Sequence, residues 1–164
     1  MTFLSALEQI EKSDAFKNFK EKHPDAELCA GFFVITDGKT EQQQLDYILA
    51  DKRIYTFILN DEITLKEAEV IEEKKQSLPP LDRNIKVDLD DVEKILAEKM
   101  QQSKIVNKIN KIIAVLQKHE GRQIWNLNCM LSNMEILQLH INTETGDISK
   151  FEKKSMMDFI KRVK

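Results

Sequence analysis

The chain has three histidines, two cysteines and twenty-eight carboxylates with which to do chemistry, and the spacing of these groups decides what they can do. His23, His119 and His140 fall at a helix end, in a turn and on a strand, and no two have the HxH or HxxxH spacing that puts ligands on one metal. Cys29 and Cys129 lie inside apolar runs, away from helix N-termini and neighbouring cations, so they read as buried free thiols rather than a disulfide, a metal site or a nucleophile. Paired carboxylates such as Asp90–Asp91 and Glu72–Glu73 are adjacent and diverge, whereas acid/base catalysis needs two that converge in a cleft. Gly31, Gly38, Gly121 and Gly146 are isolated, so there is no phosphate-cradling loop. Three of them serve turns, and Gly31, inside a strand, is expected to mark a bulge. The expectation is a protein with no cofactor, no metal and no catalytic residue.

Two surface features remain. Lys150, Lys153, Lys154, Lys161, Arg162 and Lys164 form a basic tail, but the formal net charge is −3 and the tail has no interleaved aromatics, so nucleic acid is not an expected partner. Trp125 shares a strand face with Leu127 and Cys129, which assigns it to packing with a partner required for its indole N–H. The opposite face carries Asn126 and Asn128, and cross-strand pairing would gather them with Gln138 and His140 into one polar patch. These four are the candidate partner-binding residues.

The elements that would position them follow from periodicity. Residues 2–22 place Phe3, Leu7, Ile10, Phe16 and Phe19 on one helical stripe, with Ser13-Asp14 able to cap a second segment and His23-Pro24 ending it. Ala26–Ile35, Gln43–Leu49 and Ile54–Leu59 read as strands, with Asp37-Gly38 and Asp51-Lys52 as turns. ITLKEAEVIEEKKQ follows as a short strand or the start of a helix, and Leu78-Pro79-Pro80-Leu81 is the strongest break. Asp88 or Asp90 then caps a helix with stripe Val92, Ile95, Leu96 and Met100. Residues 104–118 fit helix or strand. Gln123–Met130 and Ile136–Ile141 alternate as a hairpin, with Leu137, Leu139 and Ile141 inward. Thr145-Gly146-Asp147 is a turn with glycine at positive φ, and Lys153–Val163 would form a short terminal helix.

Laid side by side, the two halves repeat helix, strand, strand, strand at an offset of about 80 residues. Val34 answers Val115, Leu45 answers Trp125 and Leu59 answers Ile141. The repeat decides residues 111–117 in favour of strand. The expected fold is therefore α+β, with two α-β-β-β lobes, 1–80 and 81–164, whose antiparallel sheets are covered by helices and which could form one compact unit. Residues 1–80 carry 10 Lys/Arg against 16 Asp/Glu and residues 81–164 carry 15 against 12, a net of −6 beside +3 that favours association of the halves.

The run from Lys86 to Lys153 resembles a PepSY-type module. The similarity lies in the acidic-capped helix VDLDDVEKILAEKM, a strand ending in Leu116-Gln117, a strand opening Ile124-Trp125-Asn126-Leu127, and the closing ILQLHINTETGDISKFE. The first half, with SDAFKNFKEKHPDAELCAGFFVI, resembles the amino-terminal lobe of an uncharacterised archaeal group of two-lobed proteins that carry this module. The resemblance implies an α+β fold of antiparallel sheet and helices and no enzymatic activity. PepSY modules are thought to bind or inhibit proteases, mostly outside the cytoplasm.

No apolar run is long enough to span a membrane, and the N-terminus lacks the basic region of a signal peptide, so a cytoplasmic location without membrane association is expected. The expected function is a non-enzymatic binding module engaging a protein or peptide on an open sheet face or an edge strand. A small-molecule binder or weak enzyme with an inter-lobe pocket near Trp125, Tyr47 or Tyr55 is the second expectation. A homo-oligomer joined through sheet edges is the third.

Overall fold

The computed structural model describes residues 2–68 and 78–156. In chain order the elements are α1 (Phe3–Glu11), α2 (Asp14–Lys22), β1 (Glu27–Thr36), β2 (Lys39–Ile48), β3 (Ile54–Leu59), β4 (Ile63–Ala68), α3 (Leu89–Gln102), β5 (Ile109–His119), β6 (Arg122–Leu131), β7 (Glu135–Asn142) and β8 (Ile148–Ser155). The strands form one 8-stranded sheet in the order β4-β3-β2-β1-β5-β6-β7-β8, and every neighbouring pair is antiparallel.

This overturns the expectation of two α-β-β-β lobes with separate sheets. The halves share a single sheet because β1 and β5 pair with each other, from Gly31↔Leu116 to Thr36↔Lys111. Each half also ends in a fourth strand: in the first half the short-strand alternative for ITLKEA, in the second a strand, ISKFEKKS, that the periodicity does not show. Both fourth strands are sheet edges dense in charge, with Lys66 and Glu67 on β4 and Lys150, Glu152, Lys153 and Lys154 on β8. Charged side chains suit an edge that must not recruit another chain, and they hide the strand from a hydrophobicity pattern. Lys153–Ser155 thus lie in β8 and not in a terminal helix; residues 157–163 of that expected helix and all of EVIEEKKQ fall outside the described residues.

The repeat has a geometric counterpart at the β1–β5 seam. Val34 and Val115 are 81 residues apart (115 − 34), and the same offset takes Phe33 to its own ladder partner Ala114 (114 − 33). The pairs Phe32↔Val115 and Val34↔Ile113 exchange places under that offset, as they must around a local two-fold axis through Phe33 and Ala114. Leucine or aromatic residues at alternate positions of both halves consequently reach the same face of the sheet.

All three helices cover that one face. Phe16 meets Tyr47 and Phe57 at ring-centroid distances of 5.2 and 5.6 Å, and Phe19 meets Phe57 at 5.2 Å. In the other half, Leu89, Val92, Leu96 and Met100 of α3 join Trp125, Leu127, Leu137, Leu139 and Ile141 in the same buried cluster. Burial of this kind stabilises by roughly 25 cal/mol per Å² of apolar surface. Residues 2–22 resolve into two helices, each with its own cap: Thr2 with a reciprocal Ser5 bond, and Ser13 accepting from the Phe16 amide.

Gly31 is not the bulge. The β1–β2 register shifts between Leu28 and Ala30, with Cys29 as the extra residue, and again between Val34 and Ile35, where Glu41 of β2 is the extra residue. Gly31 instead leaves room on the core face, since a Cβ there would stand 3.1 Å from Phe33 Cε2 and 3.5 Å from both Leu116 Cβ and Leu45 Cδ2.

Candidate binding face

Alternation that buries Trp125, Leu127 and Cys129 must turn Asn126 and Asn128 to the other face, and the same holds for Gln138 and His140 on β7. The register then places Asn126 opposite His140 and Asn128 opposite Gln138. Gln138 Nε2 donates to Asn128 Oδ1 at 3.1 Å. Gln138 Oε1 is buried and has no hydrogen-bond partner among the described residues. The four predicted residues are brought together, all half-buried, on a face that none of the described helices covers.

Following the ladders across β1 and β5 extends this patch into two rows. One runs Gln44, Phe32, Val115, Asn126, His140, Lys150 and the other Gln42, Val34, Ile113, Asn128, Gln138, Glu152. Each row is apolar in its centre and polar at both sides. On the β2 side Gln42 Nε2 donates to Gln44 Oε1 at 3.0 Å, so amides border the apolar band from both directions.

Sequence spacing separated the histidines, but the hairpin brings two together. His119 pairs with Arg122 across the Glu120-Gly121 turn, and the His119 and His140 rings lie 5.5 Å apart, nearly edge to face. They line a pocket of about 580 Å³ with Glu120, Arg122, Ile124, Ser149, Lys150 and Glu152. Partial burial, reinforced by Lys150 and His119, holds His140 below the usual imidazole pKa. The signal for this pocket was the two-residue turn, which fixes His119 and Arg122 on the face of Ile124 once the register is known.

Elsewhere on the open face, Asp46 accepts from Thr56 Oγ1 at 2.7 Å. Burial raises its carboxyl above the usual carboxylate range, with the Thr56 bond acting in the other direction. Cys29 Sγ donates to the Asp46 carbonyl at 3.4 Å. Burial, assisted by the Asp46 charge, pushes the Cys29 thiol up to about 12, and burial alone does the same for Cys129. Both cysteines are free and buried and remain protonated thiols at neutral pH, without the thiolate that nucleophilic chemistry needs. No group of three or more His, Cys, Asp or Glu side chains among the described residues is arranged to hold a metal ion.

On the helical face, Trp125 is 0% and Tyr47 1% exposed, which removes both from any inter-lobe pocket. The Trp125 indole N–H donates to the Val87 carbonyl at 2.8 Å, which is the partner its burial requires. Tyr47 donates to Glu11 Oε2 at 3.0 Å, and Arg83 holds the same carboxylate with both guanidinium nitrogens. Burial first and Glu11 second push the Tyr47 phenol far above its usual pKa, so this trio clasps α1, β2 and the inter-half segment rather than exchanging protons. A second cleft of about 360 Å³ opens between α3 and the β1–β2 turn, lined mostly by Ile35, Leu96, Met100, Ile109 and Ile112.

Fold and site together define a class: a sheet-dominated protein with one face sealed by short helices and the other presenting amide and imidazole groups around an apolar band. No family model and no curated protein sequence matches the chain. Among solved structures it is similar to the crystal structure of a "putative lipoprotein" from Clostridium difficile 630, with a TM-score of 0.61 and 15% identity over 86% of this chain and 91% of that one. A likeness at that identity shows a shared fold and assigns neither activity nor location. No helix among the described residues is long and apolar enough to cross a membrane.

Proposed function

We propose that this protein is a non-enzymatic binding module that engages an extended segment of a partner polypeptide on the uncovered face of its sheet, in the manner expected from the PepSY-like resemblance. The observation that carries this reading is the apolar band of Phe32, Val34, Ile113 and Val115 set between two amide borders. An extended peptide alternates side chains with hydrogen-bonding backbone groups. The band offers contact area to the side chains, and Asn126, Asn128, Gln42 and Gln44 offer donors and acceptors to the backbone. The edges, β4 and β8, are charged and less suited to strand addition.

The test is a photo-crosslinking amino acid placed at Val115, with a second placed at Lys39, the first residue of β2, as reference. The expected result is a polypeptide adduct at Val115 alone, lost with Phe32→Asp and with the pair Asn126→Ala, His140→Ala. An adduct formed only between two copies of this chain, or an adduct indifferent to both variants, overturns the proposal.

A further inference from the structure

The pocket at the corner of the open face has a composition that peptide binding does not require. Arg122 and Lys150 line it from β6 and β8, and neither has an ion-pair partner among the described residues. The imidazoles of His119 on β5 and His140 on β7 line it with rings 5.5 Å apart, and Ser149 completes the wall at a point where the β7–β8 register shifts. Of the two acidic residues in the lining, one is paired outside the pocket and the other lies beside His119 but faces solvent. Glu152 is 3.3 Å from Lys154, and the Glu120 side chain, 3.8 Å from His119 Nε2, is 85% exposed to solvent.

We propose that this pocket is an oxyanion site that takes the phosphate group of a small molecule on Arg122, Lys150, His119 and His140. Cations on β6 and β8, with β7 and its His140 between those strands, together with further N–H and O–H donors offer more donors than the two oxygens of a carboxylate can use, whereas a phosphate presents three or four oxygens. The volume, about 580 Å³, is within the range of small-molecule sites and leaves room for the group that carries the phosphate. In the free protein the charges of Lys150 and His119 oppose protonation of His140. A bound dianion reverses the sign of the local field, so binding and imidazole protonation assist each other and affinity rises as the pH falls. Glu120 and Glu152 favour the same protonation. The site shares His140 with the peptide-binding face but uses none of the apolar band of Phe32, Val34, Ile113 and Val115.

The probe is inorganic phosphate, titrated into the full chain while the imidazole NMR resonances of His119 and His140 are followed at about pH 6 and about pH 8. Saturable shifts of both residues are expected, with several-fold tighter binding at the lower pH. Arg122→Ala and Lys150→Ala should each weaken binding by about tenfold or more. Both positions lie at the surface, and the backbone amide spectrum reports whether each variant keeps the fold. Arg122→Lys, which keeps the charge and loses the planar fork, should give a smaller loss. Phe32→Asp should leave phosphate binding unchanged, which separates this site from the peptide-binding face. Unmoved imidazole resonances, equal shifts in the alanine variants, or acetate binding as tightly as phosphate would each overturn the proposal.

Discussion

Asp88 Oδ1 accepts the backbone N–H of Phe3 at 2.7 Å across 85 residues of chain, while the same oxygen accepts the N–H of Leu89 at 2.6 Å. Its second oxygen accepts from Leu4 at 3.2 Å. One carboxylate therefore caps α1 of the first half and α3 of the second, and lies where two positive helix ends converge. The side chain is 7% exposed, so these amides have no water to turn to if it is lost. Together with the β1–β5 seam on the sheet, this contact ties the halves on the helical layer.

Replacing Asp88 with alanine uncaps α3 and removes the extra acceptor from the first turn of α1, which keeps its Thr2 cap, and should cost about 1–4 kcal/mol. Asp88→Asn keeps an oxygen acceptor and should cost less. Urea denaturation checks both: the midpoint should fall in that order with an unchanged slope, since the surface exposed on unfolding is the same.

Trp125→Phe removes a single donor from a sealed site. The Val87 carbonyl, which now accepts from the indole at 2.8 Å, would remain buried without that bond, and the smaller ring would leave a void against Phe33, whose ring centroid lies 5.8 Å away. A loss of about 1–3 kcal/mol is expected from the unsatisfied acceptor, with a cavity contribution in addition. Thermal unfolding of the variant measures it.

Legibility in the sequence followed burial. Strands with one sealed face, such as RQIWNLNCML and IYTFIL, announce themselves through alternation, and the caps Ser13 and Asp88 through residue type. ITLKEA stayed ambiguous between a short strand and the start of a helix, and ISKFEKKS gave no strand signal, because an edge strand exposes most of its side chains and loses the periodic pattern. A single sheet was also out of reach, since two similar halves are compatible with either separate sheets or one continuous one. What decides between them is the non-local pairing of AGFFVIT with NKIIAVL, a pairing that no local pattern encodes. The patch of Asn126, Asn128, Gln138 and His140 was readable from hairpin register alone. The neighbouring pocket was not, because it needs His119 and Arg122 from the far end of β5–β6 and Lys150 from the unrecognised β8.

Asp46 should make the protein less stable at neutral pH than its amide counterpart. Its folded pKa is raised above the usual 3.8 by burial, so the ionised form is disfavoured in the native state. The destabilisation is fully present above the folded pKa and disappears as the pH falls below 3.8. Asp46→Asn keeps an acceptor for Thr56 and removes the charge. It should raise the melting temperature at neutral pH, with the gain shrinking toward zero as the comparison is repeated at progressively lower pH. A gain that is constant with pH would assign the effect to something other than ionisation.

His140 gives the opposite pH dependence and reports on the open face directly. Burial, Lys150 and His119 hold its folded pKa below the usual 6.5, so between those two values the unfolded chain binds more protons than the folded one. Stability in that window therefore rises with pH, and the contribution is fully favourable only above 6.5. An NMR titration should place the His140 midpoint below that value. Lys150→Met removes one of the two opposing cations and should move the midpoint upward, and His119→Phe should do so by a smaller amount, in the order in which the two act on His140. Burial is the larger cause and survives both substitutions, so even the double variant should titrate below a histidine in an unfolded peptide.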